Sequence, residues 1–429
     1  MNQSTLNTLY REALNPDRRY VLVVCIFSVI LFIGYSLRYS TVLTHGFAAY
    51  YGYARLLLEG DFVPATFEYE YFNQQLREFG FGSVLDAPNN IPTNAFALLP
   101  FSFFSPPLAK FLWTVLSLVC YAVSIAILLR VNSISPSSVL GLGTIALACL
   151  WKPVLENMAY GQLYVVLLFF FCLSLQGIAR QKDSHASIPL VFMVLLKGYG
   201  LLNALWLVVN KHFKAAIIFV LFFILTSLIS FQLFGNDVWI AYYENVFISL
   251  TSLPPSGHIA YQTINSFLLH LLHFDPVWSP APVLELSRNT VQVIIIIIQL
   301  FMLSFVLYAG SKTSAQHKFL SYSTIIAATV VTAPLAEQYH YVLFLPLTIS
   351  MLGKLTASET QKVSMDVKTV FSFMAILLLA VPIPYKLLHS AAFPWYVLGY
   401  PKLIGGILLI ALSSYVMLFS KNAVKRIES

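Results

Sequence analysis

Apolar runs recur along the whole chain, separated by short polar, basic or proline-rich breaks. Runs long enough to cross about 30 Å of hydrocarbon as helices lie near 20–37, 107–129, 137–151, 159–178, 213–234, 290–309, 319–335, 340–354, 367–383 and 402–420. The pattern predicts an all-α, polytopic transmembrane bundle of about ten spans forming a single integral membrane domain. The run 187–209 is also long enough, but Lys197, Gly198, Tyr199 and Gly200 interrupt it. Arg180 and Lys182 precede it, and Lys211 and Lys214 follow it. Basic residues at both ends belong on the cytoplasmic side, so this segment reads as a re-entrant hairpin of two half-helices.

With that assignment, 16 of the 25 Lys and Arg residues fall on the cytoplasmic side, and both termini are inside. The segments 38–106 and 235–289 then form large outer loops. The first carries six carboxylates against Arg38, Arg55 and Arg77, which makes the outer face the polar, acidic one. Within it, Phe47, Tyr50, Tyr51, Ala54, Leu57 and Leu58 recur at helical spacing. They predict an interfacial helix over 46–58 lying on the membrane, with its tyrosines at headgroup depth. Prolines at 88, 92, 100, 106 and 107 break the rest of the loop, so 94–104 should dip into the interface rather than cross it. The second outer loop repeats the pattern with Trp239 to Leu250 and Asn265 to Leu272, with Tyr242 and Tyr243 placed at interface depth.

Composition sharpens the class. Hydrophobic residues make up 58% of the chain and charged residues 10%, which excludes a soluble catalytic domain. The net charge of +7 comes from basic clusters beside apolar runs, not from a groove-reading stripe, so no nucleic-acid partner is expected. The four cysteines, Cys25, Cys120, Cys149 and Cys172, stand within apolar runs and show neither a disulfide framework nor metal-ligand spacing. The first run after Arg18 and Arg19 is followed by Arg38 and Tyr39 rather than by small residues, so it reads as a retained span.

Six stretches, in order, carry a family resemblance: FAAYYGYARLLLEGD (47–61), PNNIPTNAFALLP (88–100) leading to Lys110 and Trp113, PVLENMAYGQ (153–162), the Lys197 region, QTINSFLLHLL (262–272) and APLAEQYHYVLFLP (333–346). The chain resembles the polyprenyl-phosphate-sugar-dependent membrane glycosyltransferases of family 87, a branch of the C-type glycosyltransferase fold. The resemblance implies inverting transfer of a hexose, commonly mannose, from a polyprenyl-phosphate donor to a glycolipid or polysaccharide acceptor on the non-cytoplasmic face. A multi-pass protein of a bacterial plasma membrane fits it, with membrane lipids as surroundings and no cofactor beyond the donor substrate. Three positions depart from the family pattern. Gly46 stands where the family usually has an aspartate, its best candidate general base. Tyr164 replaces an asparagine and Gly200 a proline.

Inverting transfer needs a base for the acceptor hydroxyl, donors for the departing phosphate and exclusion of water. Metal ligands are not obligatory. With no side chain at Gly46, the candidate carboxylates are Glu59, Asp61, Asp86 and Glu337. Asp86 precedes a Pro-Asn-Asn turn, while Glu337 stands with His340 at the outer end of a span, where burial is costly unless the groups are paired or used. Lys197, at the tip of the half-helices, can pair with a lipid phosphate or lock two helices together. Lys110 and Lys152, near outer span ends, suit a polyprenyl phosphate or act as snorkelling anchors. Gln162 beside Gly161 suits an interhelical hydrogen bond or a substrate contact, and Asn265 a helix cap or a sugar contact. Tyr50, Asn90 and Gln262, within the resembling stretches, complete the expected substrate-binding set. Two other functions fit the same features: a catalytically silent homologue that binds a glycolipid or a partner enzyme, and a lipid-linked sugar transporter, which a broken helix with an intramembrane lysine also suits.

Overall fold

The computed structural model describes residues 16–249, 257–357, 367–388, 391 and 393–419. Arg11, Lys362, Lys421, Lys425 and Arg426, which mark the expected inner side, lie outside the described residues, as does Leu250 in the second outer loop. Among the described residues 77% are helical, and none is in a strand.

The helices follow the apolar runs: α1 (Pro16–Tyr39), α2 (Phe47–Glu59), α3 (Tyr69–Leu76), α4 (Pro106–Val131), α5 (Val139–Cys149), α6 (Lys152–Tyr160), α7 (Tyr164–Ala179), α8 (Asp183–Lys197), α9 (Leu201–Val209), α10 (Phe213–Phe234), α11 (Asn236–Tyr242), α12 (Ile264–Leu272), α13 (Arg288–Ser311), α14 (Lys318–Val331), α15 (Leu345–Ala357), α16 (Val367–Ala380) and α17 (Pro401–Phe419). By length and apolar composition, α1, α4, α10, α13 and α17 are each able to cross a membrane. A sixth crossing results if α5 and α6, bent by 43° at their junction, form one span.

Two kinds of helix follow from the side chains. α1, α10 and α13 present long exposed rows, such as Leu221, Ile224, Leu225 and Leu228 on α10, as lipid-facing helices do. α7 and α14 are buried on nearly every side and form the centre. α7 packs against α4 and α8, and α14 against α13 and α17. Small residues permit the closest approaches: a Cβ at Gly177 on α7 would collide with the backbone at His185 and Ala186 at the start of α8. α8 ends at Gly198 and α9 is preceded by Gly200, both with positive φ (71° and 100°). Two glycines in the left-handed region make a sharp break that other residues adopt only at a cost.

The outer loop differs from expectation. Instead of lying with one face on the membrane, α2 is buried all round from Phe47 to Leu56 except at Arg55, and Tyr50 and Tyr51 are 1% and 2% exposed. The rest of the loop folds over it, with Phe62, Phe67 and Phe72 arranged edge-on around the Tyr53 ring. A single-face apolar stripe marks the side that packs most tightly, but it does not reveal that a later segment covers the other side. Similarly, α12 is capped by Thr263, whose hydroxyl accepts from Ser266 N at 3.2 Å, and not by Asn265.

Candidate functional site

A cavity of about 440 Å³ opens where four remote segments meet: His45 to Tyr50 at the start of α2, Asp86 to Ile91 in the outer loop, Lys197 to Tyr199 at the α8–α9 break, and Ala333 to His340 after α14. Gln162, Tyr164, Tyr242, Tyr261 and Thr329 complete the wall.

Asp86 is held more firmly than any other acid here. Its Oδ2 accepts from Gly46 N and from Ala49 N (3.3 Å), and its Oδ1 from Ala87 N (2.9 Å). The Gly46 and Ala49 amides belong to the first turn of α2, where the helix dipole also favours an anion. Asn73 on α3 fixes the Asp86 backbone, accepting from its N at 2.8 Å and donating to its O at 2.9 Å. Burial pushes the Asp86 carboxyl above the usual carboxylate range, against the opposing pull of the Gly46 and Ala87 amides.

Gly46 has φ 77°, and a Cβ there would overlap the Gln162 amide. The Gln162 side chain fills that space to accept from the Tyr50 hydroxyl at 2.8 Å. Tyr50 in turn lies beneath the Lys197 ammonium, 5.0 Å from ring centroid to Nζ, and Lys197 donates to Asn90 Oδ1 at 2.6 Å. Lys197 is the only Lys or Arg among the cavity-lining residues. Since Asn90 takes a single hydrogen bond from it, the ammonium keeps donor capacity for a ligand.

Across the cavity, Glu337 is half-buried and accepts from the Tyr339 hydroxyl at 3.1 Å. Burial pushes its carboxyl up, opposed by the Tyr339 hydrogen bond and by the charges of Lys386 and His45. His340 Nδ1 lies 3.1 Å from the Glu337 carbonyl oxygen. A carbonyl only accepts, so Nδ1 carries the proton and Nε2 of the neutral ring is the acceptor. Aromatic rings line this wall: Tyr164 and His340 are 4.1 Å apart, Tyr339 and His340 4.9 Å, and Tyr164 and Tyr339 5.4 Å.

A sequence profile comparison decides the kinship: Glycosyltransferase family 87 matches over residues 91–346, more than half of the chain. The chain belongs to glycosyltransferase family 87. No curated protein matches it. For this member of glycosyltransferase family 87, membership supports an integral membrane glycosyltransferase in general.

Of the expected site residues, the family 87 cavity brings together Glu337, His340, Asp86, Tyr50, Asn90, Gln162 and Lys197. It leaves out six. Glu59 at the end of α2 and Asp61 just beyond it are exposed, outside the lining. Lys110 is fully buried, and its ammonium donates to Val42 O, to Thr44 Oγ1 (3.1 Å) and to Ala159 O (2.8 Å). With three donors spent on three acceptors, it ties the approach to α2 onto α6 instead of facing a phosphate. Lys152 pairs with Glu156 one turn on, at 3.2 Å. Gln262 donates to Ile259 O (2.7 Å) and Gly399 O (2.9 Å) and accepts from Lys402 N (3.1 Å), which makes it a tie between loops. Asn265 donates to Pro334 O at 3.2 Å behind the cavity wall. Tyr242, expected at interface depth, lines the cavity instead, whereas Tyr243 is exposed. The residues that sequence reasoning missed are His45, Asn73 and the tyrosine wall of Tyr164, Tyr199 and Tyr339. Only His45, standing before a helix-opening glycine, carried a signal that composition would pick out.

Proposed function

We propose that the protein transfers a hexose, mannose being the first to test, from a polyprenyl-phosphate donor to a glycolipid or polysaccharide acceptor on the outer face of the membrane, with inversion. The observation that carries this reading is the meeting of Lys197 with Asp86, Glu337 and His340 around one cavity. In this reading the fold is of the glycosyltransferase C type. α1, α4, α5, α7, α10 and α13 to α17 cross the membrane, and the α8–α9 break is the tip of a re-entrant pair. The tip shares a cavity with residues of two segments expected outside, 38–106 and 336–339, which supports that topology.

The Lys197 ammonium binds the donor phosphate and stabilises the charge that grows on it as the anomeric C–O bond breaks. Glu337 has one hydrogen-bond donor where Asp86 has three, so it is the more basic carboxylate and takes the proton of the acceptor hydroxyl as that oxygen attacks the anomeric carbon. Asp86, pinned to the first turn of α2, offsets the charge of Lys197 and holds His45 and Tyr50 in register. His340 Nε2 accepts from a sugar hydroxyl.

The test is reconstitution of the full chain with a polyprenyl-phosphate mannose and glycolipid acceptors, following release of the lipid phosphate. Glu337→Gln and His340→Ala should each lower turnover about tenfold or more with folding intact. Wild-type protein that binds the lipid but releases nothing would point to a silent binding homologue, and movement of intact lipid across the bilayer to a transporter.

A further inference from the structure

His45 stands at the rim of the cavity, exposed, and has no part in the chemistry above. Its setting is that of a built site. Just before it, Thr44 is tied to α6 and α4, its hydroxyl donating to Tyr160 O at 3.0 Å and accepting from Lys110 Nζ at 3.1 Å. Just after it, the Gly46 amide is bound by the Asp86 carboxylate, and the His45 carbonyl accepts from Phe47 N at 2.9 Å. The imidazole itself packs against the Tyr160 ring, with centroids 4.9 Å apart. A side chain of this polarity, anchored on both sides yet open to the cavity, is suited to meet a ligand rather than to fill space.

The groups that face it define the ligand. Asp86 from the outer loop and Glu337 from the segment after α14 line the same cavity as His45. Tyr160 comes from the end of α6, and the charges of Lys386 and Glu156 also act on Glu337. A neutral imidazole offers one donor and one acceptor, the pairing a sugar hydroxyl satisfies, and the neighbouring carboxylates accept from adjacent hydroxyls.

We propose that His45 is a further acceptor-binding residue, holding a hydroxyl of the acceptor sugar at the cavity rim beside the one that Glu337 deprotonates. The assignment rests on the transferase reading for its second half and on the rim geometry alone for its first.

The full chain in lipid nanodiscs, titrated calorimetrically with octyl mannoside, tests this. His45→Leu should bind about tenfold more weakly than wild type, and His45→Gln, which keeps a donor and an acceptor, should recover that affinity. Undetectable binding in wild type, wild-type affinity in His45→Leu, or failure of His45→Gln to recover binding would each overturn the proposal. The same preparations are assayed for transfer from polyprenyl-phosphate mannose: this binding pattern without turnover removes the transferase reading and leaves His45 as a saccharide ligand.

Discussion

Lys197 faces the cavity with a neutral partner, Asn90 Oδ1 at 2.6 Å, and an aromatic ring, Tyr50, beneath it. An ammonium held this way keeps donor capacity for a ligand. Lys197→Met should cut turnover about 100-fold, Lys197→Arg less, and Asn90→Ala about tenfold by letting the ammonium wander; steady-state kinetics on reconstituted protein measure all three. Glu337 adds a pH signature. Burial raises its pKa, so kcat/KM should decline as pH falls into a range above the ordinary carboxylate value of about 4.3. That limb should be absent from the residual activity of Glu337→Gln. The stability effect has the opposite sense to that of a salt-bridged acid. The folded state binds this proton more tightly than the unfolded chain does, so stability is lost as pH rises from the unfolded value through the folded one. Glu337→Gln is thus expected to melt no lower than wild type at neutral pH, and a clear loss there would show that the carboxylate supports the fold.

Helix α2 is positioned by ties at its first turn, and each tie has its own cost of removal. Asn73→Ala leaves the Asp86 N–H and C=O without their partner in a buried setting, which should cost about 1–3 kcal/mol and lower kcat by loosening Asp86. Chemical denaturation together with kinetics separates the two effects. Lys110→Met should behave differently, because three acceptors lose their donor at once. A loss of about 2–4 kcal/mol with little change in donor KM of the protein that does fold is the expected outcome. A rise in donor KM alone would return Lys110 to the phosphate site. The glycine at the head of α2 is dictated by both backbone and space, since φ is 77° and the Gln162 amide occupies the place of a side chain.

Across the whole molecule, the cavity exists because the α8–α9 break, the long loop after α2 and the turns around Gln162 and Glu337 meet at one place. The four native cysteines are buried, so single introduced cysteines report sidedness over a low background. Leu85→Cys in the outer loop and Ser184→Cys at the start of α8 are both at exposed positions. A membrane-impermeant maleimide added to intact cells should label the first and spare the second. Labelling of both from the same side would overturn the ten-crossing topology.

The helical content, the positions of the apolar runs, the α8–α9 break and four of the cavity's charged or polar residues were legible in the chain, because hydrophobic periodicity and intramembrane charge are local signals that lipid enforces. Glu337, His340 and Lys197 each stand out as a polar group that an apolar setting makes costly, and Asp86 as a carboxylate just before a Pro-Asn-Asn turn. What only tertiary structure decided is which of the candidates meet. Lys110, Lys152, Gln262 and Asn265 look equally suited in sequence, yet their donors are spent on carbonyls or a neighbouring acid. His45, Asn73 and the tyrosine wall gain their places from contacts more than a hundred positions away or from a loop folded back on α2. Hydrogen-bond satisfaction is a property of the packed neighbourhood, and no run of residues carries it alone.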